Sequence, residues 1–338
     1  MLDARPLGRS GLAVTTLGFG GAPLGDLYAR LDDATALAAV QAAASAGVTL
    51  FDTAPLYGRG LSEHRIGTAL RGRPRGSFVL STKVGRVYAA APAGVAATEG
   101  YAGGLPFEGR FDYSYDGAMR SIEQSLLRLG LASIDVALIH DIDPWTHGAA
   151  ADQRFREALG GAWRALDTLR SQNVIRAAGI GVNDADVCLR MAQEADLDCV
   201  MLAGRYSLLE QGALDGFLPL AAQRGIGVML GGVFNSGILA TGARPGAHYN
   251  YRPAPADVVA RVERIETVCR AHGVALAHAA VRFPLAHPAI ASVVLGATSP
   301  DEVVRNVAAF GATIPSALWR DLVAEGLLRA DAPLPEGA

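Results

Sequence analysis

Four polar residues of types that can move a proton follow or close apolar stretches of the sequence. Asp52 directly follows the apolar run 48–51, and Tyr57 lies five residues further on. Lys83 and His140 each close a later run of the same kind. Such runs are typical of buried parallel strands, whose carboxyl ends carry the chemistry of a barrel. We therefore expect the four side chains to lie close together.

Their combined chemistry fits proton transfer to or from an alcohol or a carbonyl. A lysine ammonium beside a tyrosine favours the phenolate, so we expect the pKa of Tyr57 to fall from about 10. Asp52 would hold Lys83 charged and oriented, and His140 would hydrogen-bond the substrate oxygen. The set offers no obvious nucleophile and no metal cage.

Each of the four residues also has an ordinary structural interpretation. Asp52 could cap the following turn, and Tyr57 could be a loop aromatic. Lys83 could be a surface lysine, and His140 could be a hydrogen-bonded core histidine. These interpretations hold for any one residue alone, but their coincidence on successive strand ends favours an active site.

Eight strand-like apolar runs alternate with helix-like segments along the chain. The strand-like runs are residues 15–19, 48–51, 78–83, 134–140, 177–182, 199–203, 226–230 and 290–295. The helix-like segments are residues 32–46, 62–70, 116–129, 155–171, 185–194, 214–224, 257–272, 275–286 and 300–310. Strict alternation with eight strands predicts an α/β fold, a closed (β/α)8 TIM barrel with long loops at its C-terminal face.

Three segments lie outside this alternation. Residues 7–14 place a polar, Gly-bearing turn between two extended pieces and predict a small N-terminal β-hairpin. Residues 84–115 are rich in Gly, Pro and aromatic residues without a period, which is typical of a long functional loop. Residues 331–338 are predicted to form a loose tail. No linker-like composition divides the chain, so we expect one domain over residues 1–338.

Composition excludes several classes of partner. The chain has 338 residues, is half hydrophobic and carries a formal net charge of -3. It shows no basic footprint for nucleic acid or an anionic membrane, and no apolar run long enough to cross a bilayer. The three cysteines have no metal-ligand spacing, and no secretory h-region is apparent. We expect a cytoplasmic protein that binds a small molecule, without nucleic-acid or membrane partners.

Three motifs resemble the aldo-keto reductase family, over nearly the whole chain. They read F-D-T-A-P-L-Y-G-R-G-L-S-E, S-T-K-V-G and the ending I-H. The resemblance implies a catalytic tetrad of Asp52, Tyr57, Lys83 and His140, and a plug at the bottom of the barrel formed by residues 7–14. It also implies NADPH or NADH bound across the strand ends without a Rossmann fold. The glycines after the first strand accordingly fail the pattern G-x-G-x-x-G at its last position.

By the same resemblance, Asn183 and a loop over residues 233–239 would hold the cofactor. Asn183 would bind the nicotinamide carboxamide. The loop would cross the pyrophosphate with Phe234, Asn235, Ser236, Gly237 and Leu239. Many family members stack an aromatic ring on nicotinamide, but this chain has Ala203 and Gly231 where they have Gln and that ring. We expect Tyr206 or a loop aromatic to contribute the stacking surface.

The adenosine end of the cofactor would lie near the last strand. Its candidate contacts are Gly296, Thr298, Glu302 and Asn306. Members that prefer NADPH carry Lys and Arg here, whereas a carboxylate repels a 2′-phosphate and accepts a hydrogen bond from a ribose hydroxyl. We therefore predict NAD, with NADP less favoured. Arg305 argues the other way, and Glu302 could be only a first-turn acid of the following helix.

Two further stretches narrow the resemblance to dehydrogenases within the family. V-M-L-A-G-R-Y-S-L-L and G-G-V-F-N-S-G-I-L resemble NAD-linked aldose 1-dehydrogenases, and pyridoxal 4-dehydrogenases share much of the pattern. The resemblance implies oxidation of the anomeric hydroxyl of an aldose, of the L-fucose or D-threo type, to a lactone. The alternatives are a pyridoxal 4-dehydrogenase and a general NADPH-dependent aldehyde or ketone reductase.

The long loops are expected to choose the substrate. The loop after His140 offers Asp141 and Trp145, together with Asp143 and His147, and Tyr206 is a further candidate contact. The loop over residues 84–115 offers Tyr88, Tyr101, Phe107, Phe111 and Tyr113. Aromatic faces with nearby carboxylates suit a sugar, although pyridoxal or an aromatic aldehyde would fit similar walls.

Parts of the sequence are compatible with two other functional classes. The pattern H-D-x-D with His147 could indicate a metal-dependent barrel hydrolase, but such a site needs ligands from several strands, and Lys83 would be an awkward neighbour for a cation. Some proteins of the resembled family are regulatory subunits of a membrane partner, but no docking surface is marked here. A monomer and a weak homo-oligomer both fit the family.

Overall fold

The computed structural model describes residues 2–91 and 100–336. Its strands are β1 (Ala4–Pro6), β2 (Ala13–Thr15), β3 (Leu17–Gly20), β4 (Leu50–Asp52), β5 (Val79–Val84), β6 (Arg86–Ala90), β7 (Phe107–Phe111), β8 (Val136–His140), β9 (Ala177–Val182), β10 (Cys199–Ala203), β11 (Gly227–Gly231), β12 (His248–Tyr249), β13 (Arg252–Pro253) and β14 (Ile290–Gly296). Its helices are α1 (Asp33–Ser45), α2 (Leu61–Leu70), α3 (Tyr115–Leu129), α4 (Pro144–His147), α5 (Ala151–Gly160), α6 (Ala162–Ser171), α7 (Ala185–Glu194), α8 (Phe217–Arg224), α9 (Ile238–Thr241), α10 (Ala256–Ala271), α11 (Leu276–Arg282), α12 (Pro300–Phe310) and α13 (Ser316–Ala324).

Eight parallel strands close into a barrel in the order β3, β4, β5, β8, β9, β10, β11 and β14. The barrel closes where Val293 of β14 lies opposite Leu17 of β3. The strands are buried on both faces, as their continuous apolar sequences require, because helices cover the outside and side chains fill the inside. This confirms the predicted (β/α)8 TIM barrel.

The bottom of the barrel is closed by the β1–β2 hairpin. Its first strand precedes the predicted residues 7–14, and its second strand overlaps their last two residues. Leu7 and Leu12 are buried against inward-facing residues of the barrel strands. Gly8 has φ 57°, and a Cβ at this position would lie 2.4 Å from the carbonyl oxygen of Asp198. A glycine is therefore needed for the hairpin to approach the barrel so closely.

Two helix boundaries differ from the prediction for local reasons. Helix α3 begins at Tyr115 rather than at residue 116, and Ser114 caps it, since the Ser114 hydroxyl oxygen accepts the backbone N–H of Gly117. The single helix predicted over residues 155–171 is two helices, α5 and α6, separated at Gly161. A Cβ at Gly161 would lie 2.4 Å from a backbone carbonyl oxygen, so the close approach of another segment sets the break.

The segment 84–115, predicted to be irregular, contains the antiparallel ribbon β6–β7. Arg86 and Phe111 are paired across this ribbon. Residues 92–99, which belong to the same prediction, lie outside the described residues. The ribbon brings Arg86 to the C-terminal end of the barrel, next to the loop that follows β8.

In the tail predicted to be loose, residues 331–336 make tertiary contacts, and residues 337 and 338 lie outside the described residues. Ala332 is buried, and Leu334 packs against the core. The helices predicted over 214–224 and 275–286 are each a 3-10 turn joined to a shorter α-helix. Across the described residues, every helix is too short or too polar to span a membrane.

Candidate active site

The four predicted proton-transfer residues lie at the C-terminal end of the barrel. Asp52 ends β4, Lys83 is the penultimate residue of β5, and His140 ends β8. Tyr57 begins a short 3-10 turn that follows β4. Because β5 pairs with β4 on one side and with β8 on the other, the three strand ends are neighbours.

The Lys83 ammonium connects Asp52 with Tyr57. Its Nζ donates to Asp52 Oδ2 at 2.7 Å, to the carbonyl oxygen of Thr53 at 2.8 Å and to the Tyr57 hydroxyl at 3.2 Å. The second carboxylate oxygen of Asp52 accepts the Ser81 hydroxyl at 2.8 Å. Since Lys83 is only 1% exposed, these partners take the place of water around its charge.

Gly181 of β9 makes room for the Lys83 side chain. A Cβ at this position would lie 3.2 Å from Lys83 Cε and 3.4 Å from Cδ. Gly181 also lies opposite His140 in the β8–β9 register. A larger residue here would press on the methylene groups that carry the ammonium to Tyr57.

His140 packs edge-on against the ring of Tyr57, with 5.9 Å between ring centroids and 85° between ring planes. Burial lowers the pKa of His140 well below its usual range, and the cations Lys83 and Arg86 lower it further. His140 is therefore neutral at neutral pH. A neutral imidazole can donate its one ring hydrogen to a substrate oxygen.

The expected fall in the pKa of Tyr57 is wrong, because the pKa is raised instead. Burial raises the pKa of Tyr57 well above its usual value of 10, and the carboxylates of Asp52 and Asp141 raise it further. The charge of Lys83 is close, but it is shared with Asp52. Tyr57 consequently holds its proton at neutral pH.

Two adjoining cavities open beside these residues. The larger, of about 690 Å³, is lined by Tyr57, Lys83 and His140. The smaller, of about 280 Å³, is lined by the loop over residues 232–237. Both cavities are bordered by Trp145, Asn183, Ala203, Asn250 and Tyr251. This arrangement suits a substrate and a cofactor whose reacting ends meet at a shared wall.

Asn183 is held by its backbone with its side chain at the shared wall. Its N–H donates to Asp143 Oδ2 at 3.0 Å, and its carbonyl oxygen accepts from Arg205 Nε at 2.9 Å. Within the described part of the chain, the side-chain amide of Asn183 makes no hydrogen bond. Its donors and acceptor are thus open to a carboxamide, as the resemblance implies.

The loop over residues 232–237, predicted to cross a pyrophosphate, lines the smaller cavity. Asn235, Ser236 and Gly237 all have positive φ. Within the loop, the N–H groups of Asn235 and Gly237 donate to the carbonyl oxygens of Gly232 at 2.9 Å and of Phe234 at 3.0 Å, so neither is free to bind an anion. Phe234 lines the same cavity, and the Ser236 hydroxyl oxygen accepts the backbone N–H of Tyr251 at 2.9 Å.

Two of the predicted contacts are wrong. Tyr206 is 0% exposed and packs on Phe283, with 5.3 Å between ring centroids, so it cannot reach nicotinamide or substrate. The side chain of Leu239 is likewise buried in the core. Trp145 and Tyr251 are the aromatic residues that border both cavities within the described residues.

The predicted adenosine contacts are bonded mainly to one another. The N–H and hydroxyl of Thr298 donate to Glu302 Oε2 at 2.7 and 3.0 Å, and Asn306 donates to the carbonyl oxygen of Gly296 at 3.4 Å. Gly296 alone of these lines the smaller cavity. Arg305 lies 3.8 Å from the other oxygen of Glu302. These contacts match the alternative in which Glu302 is a first-turn acid of α12.

The sequence did not point to several residues of the site, among them Tyr28, Arg86, Arg205, Asn250 and Tyr251. Arg205 Nη2 donates to Asn250 Oδ1 at 3.1 Å, which ties the β12–β13 hairpin to the backbone of Asn183. Arg86 directly follows the S-T-K-V-G motif. This position next to a catalytic motif is the one sequence signal for Arg86. An arginine that is buried there must have a charged or polar partner in the site.

The residues of the metal-hydrolase alternative have other partners. Asp141 pairs with Arg86 at 2.8 Å, and Asp143 caps α4. His147 Nε2 lies 2.9 Å from the Tyr113 hydroxyl. Among residues 2–91 and 100–336, no three His, Cys, Asp or Glu side chains are arranged to hold a metal ion.

Comparison with known proteins confirms the family resemblance. A family model described as the Aldo/keto reductase family matches residues 16–324. Pyridoxal 4-dehydrogenase of Microbacterium luteolum is 43% identical over 336 residues, which covers 96% of this chain and 98% of that protein. D-threo-aldose 1-dehydrogenase of a Pseudomonas species is 38% identical over 324 residues, covering 94% and 96%. The solved holo form of an aldo-keto reductase from Bacillus halodurans has a TM-score of 0.75 and 28% identity, covering 98% of both chains.

Proposed function

This chain belongs to the aldo/keto reductase family, and on that basis we propose that it is an NAD-dependent aldose 1-dehydrogenase. It oxidises the anomeric hydroxyl of an aldose of the L-fucose or D-threo type to a lactone. The observation that carries the proposal is the buried contact of Lys83 with Asp52 and Tyr57 at the wall of a cavity large enough for a sugar. The likeness to a D-threo-aldose 1-dehydrogenase supports the choice of substrate class.

The residues of this chain handle the proton and the substrate oxygen. A bound nicotinamide supplies the hydride acceptor. The Tyr57 oxygen reacts after it has lost its proton to solvent: the phenolate accepts the proton of the anomeric hydroxyl and becomes the phenol, and Lys83 Nζ at 3.2 Å stabilises the phenolate before that transfer. Asp52 keeps Lys83 in place, and His140 donates a hydrogen bond to the same substrate oxygen.

The substrate cavity offers both stacking faces and polar groups. Tyr28, Tyr101 and Tyr251 contribute phenol rings, and the Asp141 carboxylate lies behind them beside His140. A sugar ring presents apolar C–H faces to aromatic rings and hydroxyl edges to such groups. Asp141 is buried and charge-paired, so it can accept a hydrogen bond from a hydroxyl neighbouring the reacting carbon.

Oxidation of pyridoxal is the second candidate, favoured by 43% identity to a pyridoxal 4-dehydrogenase. The two candidates share one chemistry. The aldehyde of pyridoxal can close on its neighbouring hydroxymethyl group, which gives a cyclic hemiacetal like that of an aldose. Loss of hydride from either hemiacetal carbon and of the proton from its hydroxyl, which Tyr57 accepts, gives a lactone, so the same arrangement of Tyr57 and His140 would serve both.

A steady-state panel tests the proposal. NADH formation would be followed with L-fucose, D-arabinose, L-galactose, L-glucose and pyridoxal, each with NAD and with NADP. Fast oxidation of one sugar with NAD supports the proposal, and activity on pyridoxal alone supports the second candidate. Reduction of aldehydes with NADPH, without oxidation of any sugar, would identify a general reductase and contradict both.

Glu302 fits a first-turn acid of α12, but its side chain is also 39% exposed, and cofactor choice is predicted to depend on it. Replacing Glu302 by Arg and Thr298 by Lys together should raise NADP affinity, because two cations would replace a carboxylate near the 2′-phosphate. Fluorescence titration of both cofactors measures the change. The variant Asp301→Arg adds a cation to the same first turn of α12 without removing Glu302, and it controls for charge alone. An unchanged ratio of NAD to NADP affinity would remove Glu302 from the cofactor site.

The oxidation rate is predicted to rise with pH. Burial raises the pKa of Tyr57 above its usual value. The phenolate form of Tyr57 therefore becomes more populated as the pH increases towards this raised pKa. Oxidation uses the deprotonated oxygen, whereas reduction uses the phenol and should not gain from higher pH. Profiles of kcat/KM in both directions, at saturating cofactor, measure this. An oxidation rate that falls from neutral to alkaline pH would contradict the assignment of Tyr57.

A further inference from the structure

Arg86, Asp141 and His140 form a closed cluster at the wall of the substrate cavity. Arg86 Nη1 lies 3.4 Å from His140 Nδ1, and Arg86 Nη2 donates to Asp141 Oδ2 at 2.8 Å. The second carboxylate oxygen of Asp141 lies 3.4 Å from His140 Nε2. All three residues line the cavity, and the side chains of Arg86 and Asp141 are each 11% exposed.

Arg86 is held in this position from the outside of the cluster. Its guanidinium lies 4.5 Å from the centroid of the Phe111 ring, the residue paired with it across the β6–β7 ribbon. This cation–π contact adds to the ion pair with Asp141. The guanidinium therefore has partners on two sides besides His140.

Asp141 is fixed by its backbone as well as by Arg86. It has φ 54°, a left-handed conformation that is uncommon for a residue other than glycine. Its N–H donates to the carbonyl oxygen of Gly181 at 3.0 Å, and its carbonyl oxygen lies 2.9 Å from the Tyr113 hydroxyl. Strained backbone of this kind is kept where the surroundings determine it, often at functional sites.

The chemistry of a guanidinium decides which nitrogen of His140 carries the hydrogen. Arginine has five N–H donors and no acceptor. The nitrogen that Arg86 faces must therefore present a lone pair, so Nδ1 is unprotonated and the ring hydrogen of the neutral imidazole is on Nε2. Nε2 is the nitrogen on the side of Asp141, and both residues line the cavity.

We infer that Arg86 and Asp141 are positioning residues that set the hydrogen-bonding state of His140. Arg86 occupies Nδ1 and so directs the Nε2–H at the substrate oxygen, and Asp141 anchors Arg86. The expected effect on turnover rests on the proposed function. The position of the hydrogen on the His140 ring is independent of that function.

The charges around His140 extend the same argument to its protonation. The groups that face it are Lys83 from β5, Arg86 from β6, Asp141 from the loop after β8 and Tyr57 from the loop after β4. Burial lowers the pKa of His140 first, and Lys83 and Arg86 add to that effect. Removing Arg86 would delete one cation and leave Asp141 unpaired, and both changes raise the pKa of His140.

The direct test is nuclear magnetic resonance of the ring nitrogens in protein with ¹⁵N-labelled histidine. The chain has seven histidines, and the variant His140→Gln assigns the signals of His140. The wild type should show the Nε2–H form with an unprotonated Nδ1 across the neutral range. Arg86→Met should show a mixture of forms or a cation. An Nδ1–H form in the wild type, or unchanged signals in Arg86→Met, would overturn the inference.

Kinetics give a second test, because a purely structural role of Arg86 would not change how kcat depends on pH. Arg86→Met should lower kcat by about 10- to 100-fold, as loss of a supporting contact to an active-site group typically does. The pH profile of Arg86→Met should also show lower activity below neutral pH, because His140 becomes protonated there in this variant. Arg86→Lys keeps a cation with hydrogen-bond donors and no acceptor. It should therefore recover part of the wild-type kcat and part of the wild-type pH profile. Equal behaviour of the Met and Lys variants in signals and pH profile would also overturn the inference.

Arg110→Met is the matched control, since Arg110 lies on the same ribbon with its side chain 65% exposed. It should leave kcat, the pH profile and the His140 signals unchanged. If no sugar is oxidised but the His140 signals respond to Arg86→Met as expected, the proposed substrate is wrong and the positioning role stands. If a sugar is oxidised and the signals do not respond, the positioning role is wrong and the proposed function stands.

Discussion

Tyr57→Phe is expected to lose turnover by about 100- to 10,000-fold while binding NAD as the wild type does. The hydroxyl is the group that Lys83 Nζ contacts at 3.2 Å, and phenylalanine keeps the ring that packs edge-on against His140. The substitution therefore removes the proton acceptor and little else. Single-turnover oxidation of L-fucose, together with fluorescence titration of NAD, separates the chemical step from cofactor binding.

Tyr115→Phe is the control for this experiment. Tyr115 is exposed at the start of α3 and borders neither cavity. It should leave both turnover and NAD affinity unchanged. A Tyr57→Phe enzyme with wild-type turnover would show that another group accepts the proton.

Lys83→Met is expected to abolish turnover and to destabilise the fold by about 3 to 5 kcal/mol. Methionine fills a similar volume but leaves the buried Asp52 carboxylate without its cation, with the Ser81 hydroxyl as its remaining side-chain partner. An unpaired buried charge costs far more than the pair itself contributes. Urea unfolding followed by tryptophan fluorescence measures the stability, and single-turnover kinetics measure the chemistry.

The double variant Asp52→Asn with Lys83→Met separates the two effects. Because both charges are removed together, it should regain most of the lost stability but none of the activity. Recovery of turnover in the double variant would show that Lys83 acts only by neutralising Asp52. A Lys83→Met variant as stable as the wild type would contradict the buried ion pair as an element of the fold.

The barrel and the meeting of the strand ends were predictable because burial on both faces leaves a strong signal. Strands such as 177–182 and 199–203 are continuous apolar runs, which few other structures require. Once eight such runs alternate with helices, their carboxyl ends must lie on one side. The closeness of Asp52 to Lys83 follows from the pairing of β4 with β5.

The β6–β7 ribbon was not predictable, and with it the position of Arg86. All five residues of β7 are exposed, so the strand has no alternation of buried and exposed side chains that a sequence pattern could reveal. The partners of Arg86 in the active-site cluster are also more than fifty residues away in the chain. Sequence spacing carries no information about such a contact.

The position of Tyr206 and the pKa of Tyr57 are two further properties that could not be predicted from the sequence. Tyr206 follows the end of β10, but Gly204 has φ 70° and redirects the chain, so the ring packs outside the cavities on Phe283. For Tyr57, the sequence places the cation Lys83 nearby and so favours a lowered pKa. It carries no measure of burial, which is the larger influence on that pKa.

The most direct test of the proposed function uses L-fucose carrying deuterium on the anomeric carbon. The enzyme would be incubated with this sugar and NAD, and the products examined by mass spectrometry and nuclear magnetic resonance. We predict deuterium at C4 of the nicotinamide of NADH, a sugar lactone free of deuterium, and slower single-turnover oxidation than with the unlabelled sugar. NADH without deuterium, or no lactone from L-fucose or from any of the other aldoses tested with NAD, would contradict oxidation at the anomeric carbon.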